Sequence, residues 1–124
     1  MKVLHTDNAP AAVGPYSQAI KVGDLIFTSG QLALDPATGE LVNDEIEKAT
    51  RRSLDNVKAI LDDAGSSLEK VVKATIFLSD MGNFGKVNEV YAEYFSDHKP
   101  ARSCIEVAKL PKDALIEIEV VALA

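Results

Sequence analysis

Two stretches near the C-terminal end carry the side chains best suited to chemistry. In HKPARSCIEV (98–107) an arginine and a cysteine stand one residue apart, and in LIEIEVVAL (115–123) two glutamates do the same. Arg102 offers a planar fork that meets a carboxylate at two points, which a lysine does not. A strand glutamate can orient a water molecule and carry its proton. Glu117 and Glu119 share one face by the two-residue period of a strand, and that period does not choose between them. Cys104 reads as a small packing residue and not a nucleophile, because nothing places His5 or His98, the two histidines, beside it as a base. The histidines, Cys104 and the acids show no metal-ligand spacing. No metal and no cofactor are expected.

Four further residues stand out by context. Tyr16, in the loop NAPAAVGPYSQA, can donate its hydroxyl to a ligand or water, or cover a cleft. Ser29 and Gly30 interrupt an apolar strand, where glycine often marks the close approach of a ligand or another backbone. Asn88 lies beside the stripe of Phe84, Tyr91 and Phe95, an inward amide that needs partners.

The elements that must hold these residues follow from pattern. A chain of 124 residues with 47 % hydrophobic and 26 % charged residues is one globular domain, residues 1–124. AIKVGDLIFTSGQLAL reads as two strands about a Gly23-Asp24 turn, and DPATGE as a loop. Ile46, Ala49, Leu54, Val57, Ile60, Leu61 and Ala64 recur at helical steps, with Asn43 or Asp44 as N-cap and Gly65 just past the end. KVVKATIFLS is a buried strand. Phe84, Val87, Tyr91 and Phe95 mark a second helix, and ARSCIEVAKL and ALIEIEVVALA are two more strands joined by PKD.

The net charge is −6 and no basic stripe is visible, so no nucleic acid partner is expected. One cysteine fits a reducing compartment, the N-terminal stretch has no signal-peptide pattern, and no apolar run is long enough for a membrane span. A cytoplasmic protein is expected.

The element order gives an α+β fold with five strands marked by pattern; a single mixed six-stranded sheet with both helices packed on one face is expected. The other face then has no cover within the chain. If the aliphatic rows Ser103-Ile105-Val107 and Ile116-Ile118-Val120 meet the helices, then Arg102, Cys104 and Glu117 lie together on the uncovered face. Such a half-apolar open face is usually an interface, so a homo-oligomer is expected.

The blocks GPYSQA (14–19), TSGQ (28–31), VNEVY (87–91), PARSCIEVAKLPKD (100–113) and IEIEVVAL (116–123) resemble the RidA family, also called YjgF, of reactive-intermediate deaminases. The resemblance runs from His5 to Leu123 with the motifs in the family order. It implies a chorismate-mutase-like subunit, a homotrimer, and active sites in the clefts between subunits. The implied reaction is hydrolysis of 2-imino and enamine acids (2-aminoacrylate, 2-iminopropanoate, 2-iminobutanoate) to 2-keto acids and ammonia. It selects Glu117 over Glu119 as the water-activating residue, with Tyr16 beside it, and assigns carboxylate binding to Arg102. It also gives Cys104 a substrate contact through its backbone amide. Ser29, Gly30 and Asn88 are expected from their context as further substrate-binding residues, with a plain helix-to-sheet hydrogen bond as the other reading of Asn88. Proteins of this resemblance are also described as non-catalytic regulators, translation inhibitors and endoribonucleases, which gives the alternative reading.

Overall fold

A computed structural model describes residues 1–124. The strands are β1 (Lys2–Leu4), β2 (Ala19–Val22), β3 (Leu25–Thr28), β4 (Gln31–Leu32), β5 (Val71–Leu78), β6 (Ala101–Glu106) and β7 (Ile116–Leu123), and the helices α1 (Ile46–Asp63) and α2 (Phe84–Tyr94). They form one mixed sheet in the order β1-β2-β3-β7-β5-β6, with β4 also paired to β7. β5 and β6 run parallel about the α2 crossover, and the remaining pairs are antiparallel.

The sheet has seven strands and not the expected six. β1 has three residues and no alternating pattern of its own; it exists by pairing with β2. The stretch LIFTSGQLAL, read as one strand, breaks at Ser29-Gly30. Thr28 explains the break. Its Oγ1 accepts from Val120 N at 3.0 Å and donates to Val120 O at 3.4 Å. A side chain thus occupies the ladder position, and the backbone of Ser29 and Gly30 leaves it before β4 rejoins β7.

Both helices cover one face. Ala49, Leu54, Val57, Ile60 and Leu61 of α1 are buried, as are Val87 and Val90 of α2, against Ile116, Ile118 and Val120 of β7. Burying each large aliphatic side chain favours the fold by roughly 1.5–3 kcal/mol. The N-cap of α1 is Glu45, not Asn43 or Asp44, and its side chain makes no capping bond. Asn43 is engaged elsewhere, accepting from Leu115 N at 3.0 Å and donating to Asp113 O at 3.1 Å. The helix ends as expected, with Gly65 at φ +79°, a left-handed conformation that glycine adopts without a steric penalty.

The other face is open, as the pattern predicts: Val22, Phe27, Ile105 and Leu123 lie on it, 43–47 % exposed. Its polar contents differ from expectation. Ala74, Ile76 and Leu78 of β5 are fully buried beneath the helices, and cross-strand partners share a face. Arg102 and Cys104 pair with Ala74 and Ile76, so they belong to the helix side. Glu117 pairs with Phe77 and Glu119 with Thr75, on the open side. Arg102 and Glu117 therefore point to opposite faces. The aliphatic row of edge strand β6 turns outward, with Ile105 45 % exposed, and that reverses the assumed register.

Candidate active site

A cleft of about 680 Å³ opens beside Glu117, between the N-terminal loop, the segment after β3 and the Pro111-Lys112 turn. Its walls include Tyr16, Gln18, Ser29, Gly30, Lys112 and Glu117. Gln18 builds one wall. It is buried, its Oε1 accepts from Thr6 N at 2.7 Å, and its Nε2 donates to Thr6 O at 3.0 Å and Pro10 O at 2.8 Å. One amide thus satisfies the backbone of a loop that has no ladder of its own. The hydroxyl of Thr6 then ties the loop to Asp63 at the end of α1. Ser29 N donates to Gln18 O at 2.9 Å, and Ser29 Oγ donates to Ser17 O at 2.6 Å, so its hydroxyl also braces this wall. Tyr16 stands at the mouth, 52 % exposed.

Glu117 forms part of the floor. Its carboxyl lies over Gly30, where a Cβ would come within 2.6 Å of Glu117 Cδ. The approach that a strand glycine signals is therefore that of this side chain. Burial first, and the neighbouring charge of Glu119 second, push the Glu117 carboxyl above its ordinary value. A carboxyl so shifted accepts and returns a proton more readily near neutrality than an ordinary one.

The other three expected residues gather elsewhere, at the edge of the sheet beneath α2. Arg102 Nη1 donates to Asn88 Oδ1 at 2.7 Å, which supplies the partner that the inward amide needs. Arg102 pairs with no carboxylate of its own chain. Cys104 is half-buried, and burial raises its thiol pKa, with Arg102 offsetting part of the rise. No base activates it: His5 is bonded to Asp7, and His98 to the carbonyl of Val71. No group of three or more His, Cys, Asp or Glu side chains is placed to hold a metal ion.

The structure thus brings together Tyr16, Ser29, Gly30 and Glu117 in one cluster, and Asn88, Arg102 and Cys104 in another. Sequence reasoning passed over Gln18 and Lys112. Gln18 stands in the same GPYSQA block as Tyr16, and its burial was the missing signal. Lys112 lies in the PKD turn at φ +58°, a conformation that costs a non-glycine residue roughly 1–2 kcal/mol and leaves no trace in residue type.

Comparison with known proteins agrees on a family. The family model described as Endoribonuclease L-PSP matches residues 6–124. A RutC family protein of Pyrococcus horikoshii is 56 % identical over 121 residues, covering 98 % of this chain and 96 % of that one. The 2-iminobutanoate/2-iminopropanoate deaminase of Escherichia coli is 50 % identical over 125 residues, covering 98 % and 97 %. The crystal structure of E. coli TdcF with bound serine matches at a TM-score of 0.95 and 43 % identity, covering 100 % of this chain and 99 % of that chain. No helix is long and apolar enough to cross a membrane. The chain belongs to the family its motifs resemble, RidA/YjgF, whose model carries the endoribonuclease L-PSP description.

Proposed function

We propose that the protein hydrolyses reactive 2-imino acids to 2-keto acids and ammonia, in sites completed by a neighbouring copy within a homotrimer. The observation that carries this reading is the division of the chemistry. A cleft with a proton-accepting Glu117 lies on one face, and an Arg102 without an acidic partner lies on the other. Each cluster lacks what the other holds. A neighbour's Arg102, with Asn88 and Cys104, brought to the mouth of the cleft yields one pocket with a carboxylate clamp, a water site and a base. The exposed apolar residues of the open face supply the contact that such an assembly needs.

The chemistry then follows from the groups present. Arg102 binds the substrate carboxylate with its fork and sets C2 over Glu117. Ser29 and Gly30 form the floor, and the Tyr16 hydroxyl orients the water. Glu117 takes a proton from the water as its oxygen attacks C2 of the protonated C=N bond. Glu117 returns that proton to the nitrogen of the resulting carbinolamine. As the C–N bond breaks, the ionised Glu117 takes the hydroxyl proton and passes it to the departing ammonia, which leaves as ammonium, and C2 becomes the keto carbon. An enamine such as 2-aminoacrylate enters after protonation at C3 gives its imine. The protonated imine is already electrophilic, so the sequence uses one water and no cofactor.

The deaminase name of the E. coli relative and the serine bound by TdcF, a small amino acid with the same carboxylate, support this substrate class. The family description and a Thermotoga maritima relative's name speak of an endoribonuclease, but the cleft favours a small acid over RNA: Lys112 is the single cation of this chain that lines it, beside Glu117 and Asp35. Ammonia release from freshly generated 2-aminoacrylate tests the reading. The parent should accelerate it well beyond buffer, and Arg102→Lys and Glu117→Gln should not. A parent no faster than buffer ends the proposal.

A further inference from the structure

The guanidinium of Arg102 is held by one stripe of α2. Phe84, Asn88 and Tyr91 follow one another at four and three residues, the spacing that places side chains on one helical face. Asn88 accepts a single N–H. The guanidinium carbon lies 4.8 Å from the ring centroid of Tyr91 and 5.5 Å from that of Phe84, within the ~6 Å over which a ring face attracts a cation. Ala74, beside Arg102 in the sheet, is buried and small, leaving room for the longer side chain to fold onto the helix. The hydroxyl of Tyr91 is buried without a hydrogen-bond partner. It gives no hydrogen bond to Arg102, so what Tyr91 offers the guanidinium is its ring face.

We infer that Phe84 and Tyr91 are positioning residues for carboxylate recognition. Their faces fix the guanidinium plane of Arg102 while leaving its edge free. The inference rests on reading Arg102 as the carboxylate clamp. An acidic partner would hold the guanidinium through the same N–H donors that a substrate carboxylate needs. A ring holds it through its face, so every donor not given to Asn88 stays available.

Tyr91→Phe, Tyr91→Leu and Phe84→Leu test this by two readouts. The first needs no ligand. Arginines occur only at 51, 52 and 102, so the side-chain Nε–Hε spectrum is simple, and Arg102→Lys identifies the Arg102 signal. Stacking on ring faces should shift that signal upfield in the parent and in Tyr91→Phe. It should move back towards the other arginines in Tyr91→Leu and Phe84→Leu. Phe84 is the less buried ring, and its variant serves if Tyr91→Leu fails to fold.

The second readout is calorimetric titration with pyruvate and with its neutral amide. Tyr91→Leu should weaken pyruvate about tenfold, equivalent to ~1.4 kcal/mol, and change the amide by less than about twofold. In imine hydrolysis KM should rise with kcat nearly unchanged, and Tyr91→Phe should follow the parent throughout. An Arg102 signal that stays put in both leucine variants overturns the inference whatever the ligand data say. So does a moved signal with pyruvate affinity intact. A parent that ignores pyruvate while the signal still moves sinks the carboxylate assignment and the hydrolase reading together, and leaves only the ring contact.

Discussion

Glu117 of β7 is in contact with Gly30 in the link between β3 and β4, and the contact exists because Gly30 has no side chain. A Cβ there would meet Cδ, Cγ and Oε2 of Glu117 at 2.6, 2.9 and 2.9 Å. Gly30→Ala should therefore push the carboxyl off its position. We expect turnover to fall by more than about tenfold with pyruvate binding largely kept, measured by steady-state hydrolysis and calorimetry. Parental turnover in a folded Gly30→Ala protein would mean that the position of Glu117 does not matter.

The shared site predicts complementation. Arg102→Ala and Glu117→Gln subunits should each be inactive alone. In a randomly mixed closed ring, about a quarter of the sites receive both intact residues, so coexpressed subunits should recover about that share of the parent activity. Mixed oligomers with no recovery would place both residues in a site of one chain.

The pH dependence follows from the causes of the Glu117 shift. In the fold its neutral form is favoured by burial and then by Glu119. The stability so gained is fully present below the ordinary value of 4.5 and is lost as the pH rises through the raised value. Catalysis needs the charged form, so kcat/KM should fall as the pH drops through that same raised value. Glu119→Gln removes one upward push and should move this acidic limb to lower pH. A limb unmoved in Glu119→Gln would mean the neighbouring charge is not felt.

Cys104→Ala should keep most of the turnover and cost about 1 kcal/mol of stability. The raised thiol pKa also predicts slow reaction of the native protein with thiol reagents near neutral pH. Turnover lost by orders of magnitude in a folded variant would instead require a covalent role.

Gln18→Leu should destabilise the N-terminal loop, since it leaves Thr6 and Pro10 backbone groups unmatched at roughly 1–3 kcal/mol each. Thermal unfolding should register the loss. Faster hydrogen exchange at Thr6 N, with other amides unchanged, would locate it. Parental exchange there would remove Gln18 as the anchor.

Much of this was readable from residue order because local pattern and tertiary packing agree. The α1 stripe, the β7 alternation and the open face all follow from periodicity. The face of Arg102 does not. Alternation fixes which residues of one strand point together, and it says nothing about how two strands are set against each other. In an interior strand the apolar row meets the core; β6 is an edge strand, and its Ile105 turns away. Gly30 was legible as a place of close approach, but its visitor comes from β7, a long-range contact that no local pattern carries. Lys112 escaped notice because its left-handed backbone is imposed by the turn around it.

Because Arg102 and Glu117 leave the sheet on opposite sides, each subunit has, under the shared-site reading, a head and a tail. An open row of copies always wastes one of each, and a lone copy has no complete pocket at all. Closure into a ring leaves no end, and the number of working pockets then equals the number of chains. Catalytic capacity per chain should accordingly drop on dilution as rings dissociate, with no residue altered.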